Sequence, residues 1–294
     1  MLNAHMDTVG AGGMADAFSP RVADGRLYGR GAYDMKASLA AIMITAREAM
    51  KMGLAGDLII TAVADEEVAS TGTSAVIERF RADTAIVTEP TELRLCLAHK
   101  GFVWLEVETT GVAAHGSRTD LGVDAIAHMG KILTGVVDLD SRLRSGLRHP
   151  LLGTGSIHAS LIEGGQEMST YPARCVAKLE RRTVPGEDGA SCLREIQELL
   201  PDRGSAKVTL EQAPSELAPD HALSRVVAEA AGNPEMIGVA YWMDMALLNA
   251  AGIPTVAFGP SGEGEHADVE WVDLASVARC VDTYLRAAAV LCGP

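Results

Sequence analysis

The apolar positions of this chain change rhythm twice. Over residues 1–100 they come as short runs, in 1–9 (MLNAHMDTV), 58–64 (LIITAVA) and 83–88 (DTAIVT). Aliphatic and β-branched runs of that length, closed by charged or turn residues, predict strands. Residues 36–52 (KASLAAIMITAREAMKM), rich in Ala, Met and Leu, predict a mostly buried helix, and 70–80 a second one. From about Gly101 the texture differs. Residues 102–109 (FVWLEVET) alternate as a half-exposed strand, 124–137 are helix-like, 155–163 and 175–183 are strand-like, 187–200 helix-like, and 207–211 form a last strand. This order predicts a ferredoxin-like α+β unit, residues 101–211, inserted into an α/β domain made of 1–100 and 212–294. The α/β pattern then resumes with helices at 223–231 and 244–251, a buried strand at 255–258, a Gly-rich loop carrying Glu265 and His266, and a closing helix at 274–291.

Each apolar run of the first hundred residues stops at groups with chemistry. The first ends in His5 and Asp7; residues two apart on a strand share a face, so imidazole and carboxylate lie side by side. The second stops at Asp65, Glu66 and Glu67, at the carboxyl end of a strand, where open α/β sheets place their sites. The third ends at Glu89-Pro90, and the proline holds Glu89 extended. Asp34 sits between a glycine-marked loop (Gly25, Gly29, Gly31) and the following helix. Asp34 and Asp65 are equally placed to cap helices, and His5 beside Asp7 suits an ordinary surface pair. A phosphate-cradling loop is disfavoured, since the full glycine fingerprint is absent and an acid introduces the helix.

Composition narrows the partners. Of the 294 residues 48% are hydrophobic, enough for a full core, and the net charge of −14 lacks the basic footprint of a nucleic-acid or anionic-membrane binder. The five cysteines, odd in number and without CxxC spacing, give neither a disulfide framework nor a thiolate metal site, which points to a reducing cytoplasm. No run reaches the roughly 18 apolar residues of a membrane span.

Taken together and in order, His5-Met-Asp7, Gly29-Arg-Gly-Ala-Tyr-Asp34-Met-Lys36, Asp65-Glu66-Glu67, Glu89-Pro90 and His266 with Glu270-Trp-Val resemble the motif set of the co-catalytic di-zinc metallopeptidases, the family of acetylornithine deacetylase, succinyl-diaminopimelate desuccinylase, aminoacylase and glutamate carboxypeptidase. The chemistry needs such residues: imidazole and carboxylate suit a pair of zinc ions, which lower the pKa of water towards ~7 and polarise a carbonyl. The resemblance implies a zinc-peptidase-like catalytic domain with an inserted lid and dimerisation domain. It implies His5 and Glu67 on one Zn2+, Glu89 and His266 on the other in the family's usual arrangement, with the histidine–glutamate pairing left open by the sequence itself, and Asp34 as the bridge, with Co2+ or Mn2+ as substitutes. It makes Glu66 the general base, Asp7 the group that orients His5, and Asp34-Met35 a cis peptide. In the inserted unit, His115 resembles a histidine that reaches the partner subunit's site in a homodimer, and Arg182 a clamp for the substrate carboxylate. Ser169 stands where relatives often have an asparagine near substrate, and Ala37 where a glycine is frequent. Relatives also have a helix and strands before the His5 strand. The expected activity is zinc-dependent hydrolysis of an amide bond in an N-acyl amino acid or short peptide. The alternatives are a dipeptidase of the same family and a catalytically idle metal-binding protein, and Glu66 discriminates between hydrolase and idle chain.

Overall fold

The computed structural model describes residues 1–293. Its first segment runs β1 (Leu2–His5), β2 (Arg21–Ala23), β3 (Arg26–Tyr28), α1 (Ala37–Ala49), β4 (Ile60–Val63), α2 (Thr71–Arg79), β5 (Ala85–Val87) and β6 (Leu95–His99). The middle segment runs β7 (Gly101–Thr110), α3 (Ala125–Ser145), β8 (Ser156–Gly164), β9 (Arg174–Thr183), α4 (Gly189–Gln197) and β10 (Gly204–Gln212). The last runs β11 (Ser215–Glu216), α5 (Ala222–Ala230), β12 (Met236–Val239), α6 (Met245–Ala250), β13 (Thr255–Ala257), β14 (Gly262–Glu263), β15 (Trp271–Asp273) and α7 (Leu274–Leu291). The chain divides into two compact units, one of Met1–Ala98, Glu216–Gly238 and Met243–Pro294, the other of His99–Ser215 with Val239–Trp242.

The first unit is built on a sheet of order β11-β6-β13-β5-β1-β4, with β12 on β6. Strands β1, β4, β5 and β13 run parallel. Every residue of β1, β5 and β13 is buried, which is why these runs are unbroken: a parallel strand covered on both faces has no solvent side to alternate towards. At the sheet's edge β4 alternates instead. Helix α1 buries Ala37, Ala41, Ile42, Thr45 and Ala49, a stripe at helical spacing, and packs on α7. The α7 side chain Tyr284, wholly buried, donates to the Phe258 carbonyl at 2.7 Å and meets the Phe258 ring edge-on, fixing the segment that leads to His266.

The second unit has the β-α-β-β-α-β order expected and a four-stranded antiparallel sheet ordered β10-β7-β9-β8, the strand arrangement of a ferredoxin-like fold. Alternate residues of β7 (Val103, Leu105, Val107) and β9 (Cys175, Ala177, Leu179) join Met129, Ile132, Val136 and Leu139 of α3 in one core. Helix α3 runs a further eight residues beyond the predicted end, because Leu139 and Leu143 continue its apolar stripe.

His99 is fully buried in this unit. Its Nδ1 lies 3.0 Å from the Lys100 carbonyl, its ring meets Trp242 edge-on, and Nε2 has no partner among the described residues. Burial pulls its pKa from 6.5 down to about 4. A depressed histidine contributes stability that is complete above the unfolded pKa and is lost as pH falls through the folded one, here between 6.5 and about 4. The full difference corresponds to ~3 kcal/mol. Denaturation of the parent and of a His99→Phe chain across that window should show the variant losing less stability on acidification; parallel curves would contradict this.

Candidate metal centre

The parallel sheet delivers its side chains at one end. His5 closes β1 with 1% of its surface exposed, between β4 and β5. Its Nδ1 is 2.9 Å from the Asp7 main-chain carbonyl, which can only accept, so Nδ1 carries a proton and Nε2 is the nitrogen that faces the cluster. The Asp7 group that orients His5 is therefore the carbonyl more than the carboxylate, which stands 3.6 Å from Nδ1 and accepts from the Glu67 backbone N–H at 3.2 Å. Asp34 lies in an irregular turn, Ala32–Lys36, that opens onto α1, and the Asp34-Met35 peptide is cis as the resemblance implied. Gly31 starts that turn at φ +74°, and a Cβ there would strike Thr8, so only glycine fits. Asp65 does not cap a helix. It adopts φ +70°, and its carbonyl gathers the N–H groups of Val68, Ala69 and Ser70, turning Glu66 and Glu67 towards the sheet's end. His266 is also left-handed, at φ +60°, in the loop between β14 and β15.

Asp34 is the centre of the arrangement. Its Oδ1 is 3.0 Å from His5 Nε2 and its Oδ2 is 3.4 Å from His266 Nε2. The resemblance implied His5 with Glu67 and His266 with Glu89, and the side chains are paired the other way. His5 Nε2 stands 3.6 Å from Glu89, and His266 Nε2 stands 3.0 Å from Glu67. The cause is strand order: β5 pairs with β1, Leu2 opposite Ile86 and Asn3 opposite Val87, so Glu89 emerges beside His5. Donor atoms of His5, Glu66 and Glu89 lie within 4.8 Å of one another, as do those of His5, Asp34 and Glu67. Glu67 thus lies near both imidazoles, and its 3.0 Å contact to His266 assigns it to that side.

The electrostatics ask for cations. Burial would lower His5, but the Glu89 charge and the Asp34 hydrogen bond raise it to about 10. The Asp34 bond likewise carries His266 to about 9. Burial pushes Glu89 well above the carboxylate range, and pushes Glu66 up to about 8 with help from the neighbouring Asp244. Glu67 is raised by burial and by Asp34, and its Oε1 is buried without a partner among the described residues. Two imidazoles and four acids converging with an orphaned carboxylate oxygen fit a pair of metal ions.

Asp244, 1% exposed and bonded to Thr73 at 2.5 Å, is a member of this acidic group that sequence reasoning missed. Its only signal was a place ahead of a short helix. The remaining candidates belong to the second unit. His115 is exposed and accepts the Ser117 backbone N–H on Nδ1 at 3.2 Å, which puts the proton of the neutral ring on Nε2. Ser169 lies beside it, its carbonyl taking the Gly116 N–H at 2.7 Å. Arg182 on β9 bonds Glu180 at 2.8 Å and lies over the Phe102 ring. Its neighbour Arg181 is fully buried between Glu187 and Glu195.

The family model for Peptidase family M20/M25/M40 matches residues 1–290. An acetylornithine deacetylase of Myxococcus xanthus is 32% identical over 295 residues, covering 95% of this chain and 76% of that protein. Among solved structures, the aminopeptidase PepT of Bacillus cereus superposes with a TM-score of 0.79 at 19% identity, over 97% of this chain and 79% of that one. YXEP of Bacillus subtilis, described as a dinuclear metal binding peptidase of the M20 family, does so at 0.74 and 15%, over 99% and 80%. With its motifs converged on one acidic, imidazole-bearing cluster at the end of a parallel sheet, the chain belongs to peptidase family M20/M25/M40 and is a metal-dependent hydrolase.

Proposed function

We propose that this chain holds two zinc ions, with Co2+ or Mn2+ as working substitutes, and hydrolyses the amide bond of an N-acyl amino acid. The observation that carries the reading is the Asp34 carboxylate, whose two oxygens face two different imidazoles, each beside its own glutamate. His5, Asp34 and Glu89 would hold one ion, and His266, Asp34 and Glu67 the other, a donor set that suits zinc. When bound, such a pair supplies Lewis-acid polarisation of the scissile carbonyl and makes water nucleophilic at neutral pH. Glu66, close to both His5 and Glu89, takes the water's proton on its carboxylate and returns it to the leaving amine. Arg182 offers guanidinium N–H groups to the substrate carboxylate, in the planar geometry that lysine lacks. Ser169, next to His115, is the second substrate-binding candidate.

The second unit serves as lid and dimerisation domain of a homodimer, with residues 1–100 and 212–294 as the catalytic domain. Supporting the acyl amino acid over a peptide are the acetylornithine deacetylase relative and the glutamate at position 89, where the family's aminopeptidase branch more often has aspartate. Five free cysteines suit a reducing cytoplasm, and no helix among the described residues is long and apolar enough to cross a membrane.

The test is reconstitution of metal-stripped chain with zinc or cobalt, followed by a screen of N-acyl amino acids, acetylornithine first, beside dipeptides. Two equivalents should bind and acyl amino acids should be cleaved. A single equivalent would overturn the bridge, and turnover of dipeptides alone would replace the deacylase reading. In an Asp34→Ala chain the metal content should fall to one equivalent or less by elemental analysis.

A further inference from the structure

We infer that the buried ion pair of Glu270 and Arg30 is the positioning device that sets Asp34 and His266 for their metals, an inference that rests on the two-metal reading above. Strand β15 pairs with β3, Trp271 opposite Tyr28, so residue 270 is brought against the start of the Asp34 turn, where its carbonyl accepts the Gly29 N–H at 3.2 Å. The Glu270 side chain, 1% exposed, is fully subscribed. Its Oε2 accepts the Gly31 N–H at 2.9 Å and Arg30 Nη1 at 2.8 Å; its Oε1 accepts the N–H groups of Tyr33 at 2.8 Å and of Asp34 itself at 3.1 Å. Three backbone donors of one turn, those of Gly31, Tyr33 and Asp34, thus converge on one carboxylate, and the last belongs to the residue that faces both imidazoles. With four donors Glu270 has no role left as a ligand.

Arg30 extends the tie to two more loops. While Nη1 holds Glu270, Nε donates to the Gly10 carbonyl at 3.1 Å and Nη2 to the Ala267 carbonyl at 2.9 Å. Gly10 lies in the segment that follows β1 and carries Asp7, and Ala267 adjoins His266, so one planar fork joins the segment after His5, the Asp34 turn and the His266 loop. The pair is also neutral as a whole. An acid can therefore stand directly behind the Asp34 turn without adding net charge to a cluster already crowded with carboxylates. A lysine would make one of these contacts and lose the others.

Glutamine at position 270 keeps the shape but has one acceptor oxygen, and its NH2 would face backbone N–H groups. Groups behind metal ligands typically change affinity by ~10 to 100-fold when altered. The experiment titrates metal-stripped parent, Glu270→Gln and Arg30→Lys chains with Co2+, following the visible absorption of the bound ion and the heat of binding, with far-ultraviolet circular dichroism and Tm recorded alongside. The expected result is a folded Glu270→Gln chain whose cobalt spectrum changes and whose metal binds at least 10-fold more weakly. Arg30→Lys should show the same change to a smaller degree, and stands as the test where Glu270→Gln does not fold. If the parent binds two equivalents while the folded variants bind cobalt with the parent's spectrum and affinity, differing only in Tm, the pair is merely structural and the inference falls. If the parent itself binds no second ion, the two-metal reading has failed first.

Discussion

A Glu66→Gln chain should bind as much metal as its parent and lose roughly 10² to 10⁴-fold in turnover, the usual worth of a general base. The argument is geometric before it is electrostatic. Asp34 makes the close contacts to both imidazoles, and Glu89 and Glu67 each stand by one of them. Of the other acids, Glu66 is the one whose carboxylate lies near His5 and Glu89. Glutamine has the same length and keeps an oxygen for hydrogen bonding, but it cannot accept and return a proton. Burial and the nearby Asp244 push the Glu66 carboxyl up to about 8 in the bare chain, so its environment already resists a permanent negative charge. Cations at the site would favour the ionised form that takes a proton. Elemental analysis with turnover of the same samples checks the prediction. A Glu66→Gln chain with full activity would remove the mechanism, and one that loses metal as well would make Glu66 a ligand. Asp34→Ala is the contrasting variant, failing by metal content and not by proton transfer alone.

Much of this site was legible because parallel strands expose their ends. His5, Glu66, Glu67 and Glu89 each follow an apolar run, and an apolar run that stops at an acid is visible in one dimension. Which acid meets which histidine was not, because that depends on β5 lying beside β1, a pairing that no local pattern carries. The same holds for Glu270. It stands 236 residues from the Asp34 N–H that it accepts, and only the β15 to β3 register brings the two together. Asp244 likewise needs its bond to Thr73, 171 residues away, to be seen as part of the acidic group. Arg181 and Arg182 looked alike as neighbours. Strand alternation separated them, turning one into the core and the other onto the half-exposed face. Periodicity did predict most of the second unit, since β7, β9 and α3 each carry a regular apolar stripe, whereas β8 is largely exposed. It did not show that Val239–Trp242, far along the chain, completes that unit.

His115 should act across subunits, and its loss should cost ~10² to 10³-fold in turnover, as for other donors to a developing oxyanion. Its ring is prepared for this: the Ser117 N–H occupies Nδ1, so Nε2 carries the proton it can offer. The unit that carries it also has a surface suited to self-association. Strand β8 is an edge of its sheet, with Leu161 63% and Ile162 56% exposed, and α3 adds Val137 at 65%. An edge strand bearing apolar side chains is a template for pairing, and a two-fold contact with the same strand of a second copy would satisfy it. Sedimentation should then report a dimer, and a charge at Leu161 should weaken it. The decisive measurement mixes two inactive chains, Glu66→Gln and His115→Ala, under conditions where subunits exchange. In a mixed dimer one site lacks both groups and the other has both, so random assortment restores about one quarter of the parent's activity. Exchange without recovery would place His115 in its own subunit's site, or in none, and a fully active monomer would do the same.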